Sequence, residues 1–324
     1  MTRILVTGGL GAVGRLLVDE LRGRGNDVYA CDLSHQPGEL GISVRSDDEH
    51  PHYLRCDVSE YRQLLRVMER IGPVDYVFHC AAEFGRWNGE DFYERLWSTN
   101  AVGTKNVIRL QESLRFRLVH FSSSEVYGDF DGLMTEDVMD TVPIKQLNDY
   151  AMTKWVNEMQ VRNSAAQFGT ESVVVRLFNT YGPGEFYNPY RSVNCRFLYC
   201  ALQGLPWTVH RGHLRTSTFL LDTVKTLATI PERFAPGETY NIGGTTLHSM
   251  EELSDLVIKV TGARPDLAQY ADSEILTTKS KVVDVSKAVN HLGHRDTCTL
   301  EEGLRATVEW MRTVYGSGGA SRLT

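Results

Sequence analysis

Tyr150 and Lys154 stand four residues apart in a stretch that reads as helix, so both side chains leave one face. A phenol, with an unperturbed pKa of about 10, cannot act as a base at neutral pH unless its anion is favoured. An ammonium group one helical turn away favours it, and the pair is then suited to take a proton from a hydroxyl group. The sequence contains 14 tyrosines, and only Tyr150 is followed four residues later by lysine. Upstream, the apolar run Arg117 to Phe121 leads into Ser122, Ser123, Ser124 and Glu125, three hydroxyls and a carboxylate at the C-terminal end of a buried strand. Open α/β sheets bind their ligands at that end. Taken singly, a Tyr/Lys pair is more often a surface pair and a serine run more often a cap or turn. A cofactor beside them would change that reading.

The N-terminus supplies one. Ile4-Leu5-Val6 is a short strand that enters Thr7 to Gly14, with glycines at 8, 11 and 14, and from Val13 to Leu21 apolar residues recur at helical spacing. Strand, glycine loop and helix in this order form a dinucleotide site. Gly8, Gly11 and Gly14 let the backbone approach a pyrophosphate, whose charge is met by amides around Ala12 and Val13 and by the positive end of the helix. The spacing is Gly-x-x-Gly-x-x-Gly rather than the commoner Gly-x-Gly-x-x-Gly. The next apolar run, Asp27 to Cys31, ends in Asp32, at the distance where an acid meets the ribose hydroxyls. A carboxylate there repels a 2′-phosphate, so the expected cofactor is NAD rather than NADP.

The elements that must position these groups follow in order. Strand-like runs at Tyr53 to Cys56, Asp75 to Cys80, Leu118 to Phe121 and Ser172 to Phe178 alternate with helical patterns at Tyr61 to Arg70, Phe92 to Leu114 and the Tyr150 segment. That rhythm predicts an α/β chain with a doubly wound parallel sheet. Residues 1–180 form the NAD-binding domain, 181–315 mainly a smaller C-terminal α/β substrate-binding annex, with segments after 215 returning to the first domain. Ser34 to Pro51 reads as a surface excursion and 316–324 as a frayed tail. The 324 residues suffice for a sizeable core, at 42% hydrophobic and 23% charged. A net charge of -7 argues against a nucleic-acid partner. Six scattered cysteines without a Cys-x-x-Cys pair indicate reduced thiols in a cytoplasmic protein, with no metal site. No apolar run is long enough for a membrane span, and strand-like sequence from Arg3 leaves no room for a targeting segment.

With these motifs in this order, the chain resembles the extended short-chain dehydrogenase/reductase family, specifically its nucleotide-sugar epimerases, dehydratases and decarboxylases. Further motifs carry the resemblance: Asp57-Val58, His79 to Ala82, Asn100 to Thr104, Ser123 to Gly128, Arg176 to Gly184 and Tyr240 to Gly244. It implies a Rossmann-type NAD domain whose cofactor contacts include Asp57, Val58, Ala81, Ala82 and Asn100 besides the glycine loop, Asp32, Tyr150 and Lys154. It implies catalysis by Ser123, Ser124, Glu125, Tyr150 and Lys154 on a nucleotide diphosphate sugar. Substrate contacts are implied for Phe84, Asn179, Arg191 and Arg215. Hydride leaves sugar C4 for NAD and returns within the same turnover. Glu125 as a base at C5 inclines the reading to 4,6-dehydration, with 4-epimerisation close behind. A hexuronate decarboxylase and a non-catalytic NAD-binding module are the alternatives. Such dehydratases often have Asp at the Ser124 position as the acid for the departing hydroxyl; this chain has Ser. Where decarboxylases carry an arginine, Lys279-Ser280-Lys281 stands. The helices in 92–114 and 149–167 match those that pair in the family's homodimers.

Overall fold

The computed structural model describes residues 1–34, 52–272, 274 and 276–316. Residues 35–51 of the expected excursion and 317–324 of the expected tail lie outside the described residues.

Seven parallel strands form the main sheet: β1 (Arg3–Thr7), β2 (Asp27–Asp32), β3 (Tyr53–Arg55), β4 (Tyr76–His79), β5 (Arg117–Ser123), β6 (Ser172–Leu177) and β7 (Thr239–Ile242). They lie in the order β7-β6-β5-β4-β1-β2-β3. Strands covered on both faces read as unbroken apolar runs, and Ile4, Leu5, Val6, Val77, Phe78, Val173, Val174 and Val175 are all buried. On one face α1 (Ala12–Gly23) packs through Leu17 and Leu21; on the other, α2 (Tyr61–Ile71), α3 (Gly103–Leu114) and α4 (Asp149–Phe168) contribute Leu64, Ile108 and Val161. A third core builds the annex from α5 (Val193–Gln203), α7 (Met250–Thr261) and α8 (Leu300–Tyr315), centred on Phe197, Leu253 and Leu304. Between them α6 (Leu220–Leu227) joins the α1 core, and β7 pairs with β6, so the chain re-enters the first layer after leaving for the annex.

Strand order reverses between β1 and β4, and a crevice opens at their C-terminal ends. Buried His79 spans this point, bonding Thr7 Oγ1 at 2.8 Å and Thr104 Oγ1 at 3.1 Å. The helical pattern from Phe92 to Leu114 is interrupted by a π turn, Ser98–Val102, before α3 begins. Such a one-residue insertion re-aims a side chain, and here Asn100 is buried. Among the described residues no helix is long and apolar enough to cross a membrane, and no cluster of His, Cys, Asp or Glu could hold a metal.

Candidate active site

The glycine loop leaves β1 with Gly8 at φ +69, and a Cβ there would lie 2.6 Å from the Ala81 nitrogen. At Gly14 a Cβ would lie 2.1 Å from the Gly8 oxygen. Both positions therefore require glycine, one for the turn and one for the close packing of helix on loop. No side chain caps α1 at Gly11, so its first-turn amides are free to meet a phosphate. Asp32, ending β2, accepts from the Leu10 amide at 3.0 Å and the Ser34 amide at 3.3 Å, which holds the carboxylate against the glycine loop. Asp57 accepts from the amide and hydroxyl of Ser59, and Val58 packs under Gly103. An open helix start, a cradle without side chains and an acid at the next strand end fit a dinucleotide with free ribose hydroxyls.

Asn100 is held by protein groups around it. Its Nδ2 donates to the Glu83 oxygen and Thr153 Oγ1, and its Oδ1 accepts from the Glu83 amide. Both amide hydrogens are thus engaged, and the side chain fixes the loop after β4, on which Ala81 and Ala82 lie.

Ser123, the last residue of β5, caps the short turn Ser124–Tyr127 by accepting from the Glu125 amide at 3.2 Å. Asn148 caps α4 by accepting from the Ala151 amide at 2.8 Å, which sets where Tyr150 enters the helix. The Tyr150 phenol meets the Ser123 hydroxyl. Lys154 sends its Nζ to the Phe121 oxygen at 2.8 Å and lies 5.8 Å from the Tyr150 ring centroid. Burial pushes the Tyr150 phenol up to about 12, only partly offset by Ser123, and pulls Lys154 down to about 8. The ammonium is turned to the Phe121 carbonyl, and a cationic nicotinamide ring, when bound, would add to it in favouring the phenolate.

Ser123, Ser124, Glu125, Tyr150, Phe84, Asn179, Arg191 and Arg215 all line one cavity of about 320 Å³. Arg191 stacks on Phe84, 3.9 Å from the ring centroid, and donates to the Phe186 oxygen. Asn179 holds φ +39 and donates to the Thr216 oxygen, a left-handed position that asparagine tolerates better than most residues. Arg215 lines the cavity. Its Nη1 and Nη2 donate to the Leu214, Thr278 and Lys279 oxygens and to Thr277 Oγ1, so these two nitrogens tie down the 277–279 loop.

Glu125 is the most strongly perturbed carboxylate of the cavity. Its Oε1 pairs with Lys281 Nζ at 2.5 Å and lies 3.8 Å from Arg86 Nη1. Burial alone would raise its pKa; Lys281 and Arg86 overcome that and hold it at about 2. Arg86 reaches on to Glu274 at 2.8 Å, and Trp87 donates to the same carboxylate at 3.0 Å. Sequence reasoning assigned no role to Arg86, Glu274 or Lys281, which come from segments far apart in the chain. The only signal was Lys279-Ser280-Lys281 in place of an arginine.

A doubly wound dinucleotide domain with Ser123 and Tyr150 on the wall of a polar cavity and buried Lys154 beside the tyrosine has the arrangement of the extended short-chain dehydrogenase/reductase class. The chain belongs to the NAD dependent epimerase/dehydratase family, whose model matches residues 4–243. It is 29% identical over 336 residues to a dTDP-glucose 4,6-dehydratase of Neisseria meningitidis, covering 96% of this chain and 93% of that enzyme. It is equally 29% identical over 314 residues to UDP-glucuronic acid decarboxylase 1 of Xenopus tropicalis, covering 96% of this chain and 72% of that protein. Among solved structures, MoeE5 in complex with UDP-glucose and NAD superposes with a TM-score of 0.82 at 29% identity, covering 96% of this chain and 99% of that one.

Proposed function

We propose that the protein converts a nucleotide diphosphate sugar without net redox change, by oxidation at sugar C4, loss of water across C5 and C6, and return of the hydride to C6 with a proton to C5. Relatives named as dTDP-glucose 4,6-dehydratases support this reading. The observation that carries it is Glu125, an ionised carboxylate on the cavity wall beside Ser123 and Tyr150. NAD, when bound, supplies the hydride acceptor. Tyr150 takes the O4 proton, Ser123 holds that oxygen in line, and Glu125 takes the C5 proton, which a neighbouring ketone makes acidic.

Incubation with UDP-, dTDP-, GDP- and ADP-sugars, read by mass spectrometry, tests it: loss of water is expected. Glu125→Gln should slow that loss by about 10²-fold or more while C4 oxidation persists as absorbance of the reduced cofactor. An isomer of unchanged mass would mark epimerisation instead, and loss of carbon dioxide would mark decarboxylation. The decarboxylase reading draws support from Arg191 on Phe84, a cation placed in the cavity where a hexuronate carboxylate could pair with it.

A homodimer belongs to the same proposal. Val102 is exposed on the π turn, Leu114 on α3, and Met152 and Met159 on α4, an apolar surface of the kind that a second copy covers. Sedimentation should give a dimer that Met152→Asp with Met159→Asp converts to monomer; a monomeric wild type would refute it.

A further inference from the structure

Losing water across C5 and C6 of a 4-keto sugar calls for a base at C5 and an acid at O6. The run after Ser123 offers no second carboxylic acid, because Ser124 follows and is buried. The other carboxylates of the cavity wall are engaged elsewhere. Glu185 accepts from the Ser192 amide at 3.0 Å and hydroxyl at 2.7 Å, and Glu274 is held by Arg86 and Trp87.

The two oxygens of Glu125 stand in different settings. Oε1 is taken by Lys281, whereas Oε2 accepts no hydrogen bond from any described residue, on a side chain that lines the cavity. Lys281 is only 2% exposed, and among the described residues Glu125 is the single acceptor of its Nζ. Its backbone is fastened on both sides: the Lys281 amide donates to the Leu214 oxygen at 3.1 Å, and Val282–Val283 pairs with Leu133–Met134. The ammonium is therefore a fixed charge, not a surface lysine that happens to reach inward.

Resting on the dehydratase reading, we propose that Glu125 is both the base and the acid of the elimination and that Lys281 is the positioning residue that lets one carboxylate do both. The C5–H bond breaks and its proton goes to Glu125 Oε2, while the electron pair moves into the C4 carbonyl as an enolate. The enolate then re-forms the carbonyl as C5=C6 forms and the C6–O6 bond breaks. O6 takes the proton back from Oε2 and leaves as water, and Glu125 is again a carboxylate beside an unchanged ammonium. No other acid is needed, which accounts for serine at 124.

The cation serves both halves. It keeps a buried carboxylate ionised and ready for the C5 proton, and once that proton has arrived it makes the carboxyl group a readier donor. Glu125 is faced by Lys281 from the 279–283 strap, Arg86 from the helix after β4, Arg215 from the annex and Tyr150 from α4. Without Lys281, burial prevails over the remaining arginines and Glu125 shifts upward. Glu125 then protonates as pH falls, and the rate falls with it.

The test uses the full-length, NAD-loaded protein with dTDP-glucose and UDP-glucose, following water loss by mass spectrometry and C4 oxidation by absorbance. Wild type should be flat from about pH 5 to 7, below the range in which burial lets Lys281, pulled down to about 8, lose its proton. Lys281→Met should lose water about 10²-fold more slowly at pH 7 and slow further toward pH 5, yet still oxidise C4, which shows an intact fold. Lys281→Arg keeps the charge and should restore the flat profile and most of the rate. A Lys281→Met enzyme with wild-type rate and a flat profile overturns the role of Lys281. A wild type that releases no water from either sugar overturns dehydration itself, and with it this role.

Discussion

Tyr150→Phe lowers turnover by about 10³-fold or more, within the range of a lost general base, and leaves the fold and cofactor binding intact. The ring, the Asn148 cap and the helix start are all retained, because none depends on the phenolic oxygen. The glycine loop and Asp32, expected dinucleotide contacts besides Tyr150 and Lys154, lie on other elements, and the substitution keeps the ring of residue 150. Among the described residues the phenol interacts with the Ser123 hydroxyl, and losing that interaction costs about 1 kcal/mol or less. The effect should therefore fall on the formation of reduced cofactor in a single turnover, with the same NAD content per chain and the same unfolding midpoint within error. In the cofactor-free site the phenol sits at about 12, so few molecules carry phenolate at neutral pH. Wild-type turnover then requires that the bound dinucleotide lower that value. Titration of tyrosinate absorbance with and without NAD should show the difference. Full activity in Tyr150→Phe would dismiss the assigned base.

Much of this site was legible because its signals are local. A parallel strand buried on both faces must read as an apolar run, and a glycine turn onto a helix must place its glycines at fixed intervals, so β1, the loop and α1 followed from a dozen adjacent residues. Tyr150 and Lys154 were legible for the same reason: one helical turn separates them. The electrostatics were not. Lys281 meets Glu125 across 156 residues of sequence, and no periodicity foretells such a pair. The anchoring of Arg215 was not legible either, because what a guanidinium donates to depends on the carbonyls around it, here those of residues 214, 278 and 279. Asn100 was placed in the right neighbourhood, yet the π turn that directs it inward has no sequence signature of its own. That Lys154 Nζ reaches the Phe121 oxygen was not legible, because spacing along a helix says nothing about where a flexible ammonium points.

Glu158→Gln should destabilise the protein by about 3–5 kcal/mol, the cost of leaving a buried charge without its partner. Glu158 and Arg176 are both fully buried and joined by two parallel hydrogen bonds of 2.9 and 2.7 Å, so glutamine keeps the shape and removes the charge. Arg176 would then rely on the Tyr127 hydroxyl and the Glu136 oxygen, which its Nη1 already uses. Tyr127 continues the network to Asn241 on β7, so the set joins α4 to β6 and β7 beneath the cavity. Urea unfolding followed by fluorescence and circular dichroism should show the lower midpoint; a shift worth less than about 1 kcal/mol would mean that water or a rearrangement satisfies Arg176. A paired Glu158→Leu, Arg176→Met variant should recover most of the loss, since well-packed apolar replacements of buried ion pairs are often neutral. Activity separates the two variants from wild type in another way. Ser122 Oγ donates to Glu158 Oε1 at 2.5 Å, one residue before Ser123. The doubly substituted protein regains stability but not that tether, so its turnover should stay below wild type even when every molecule is folded.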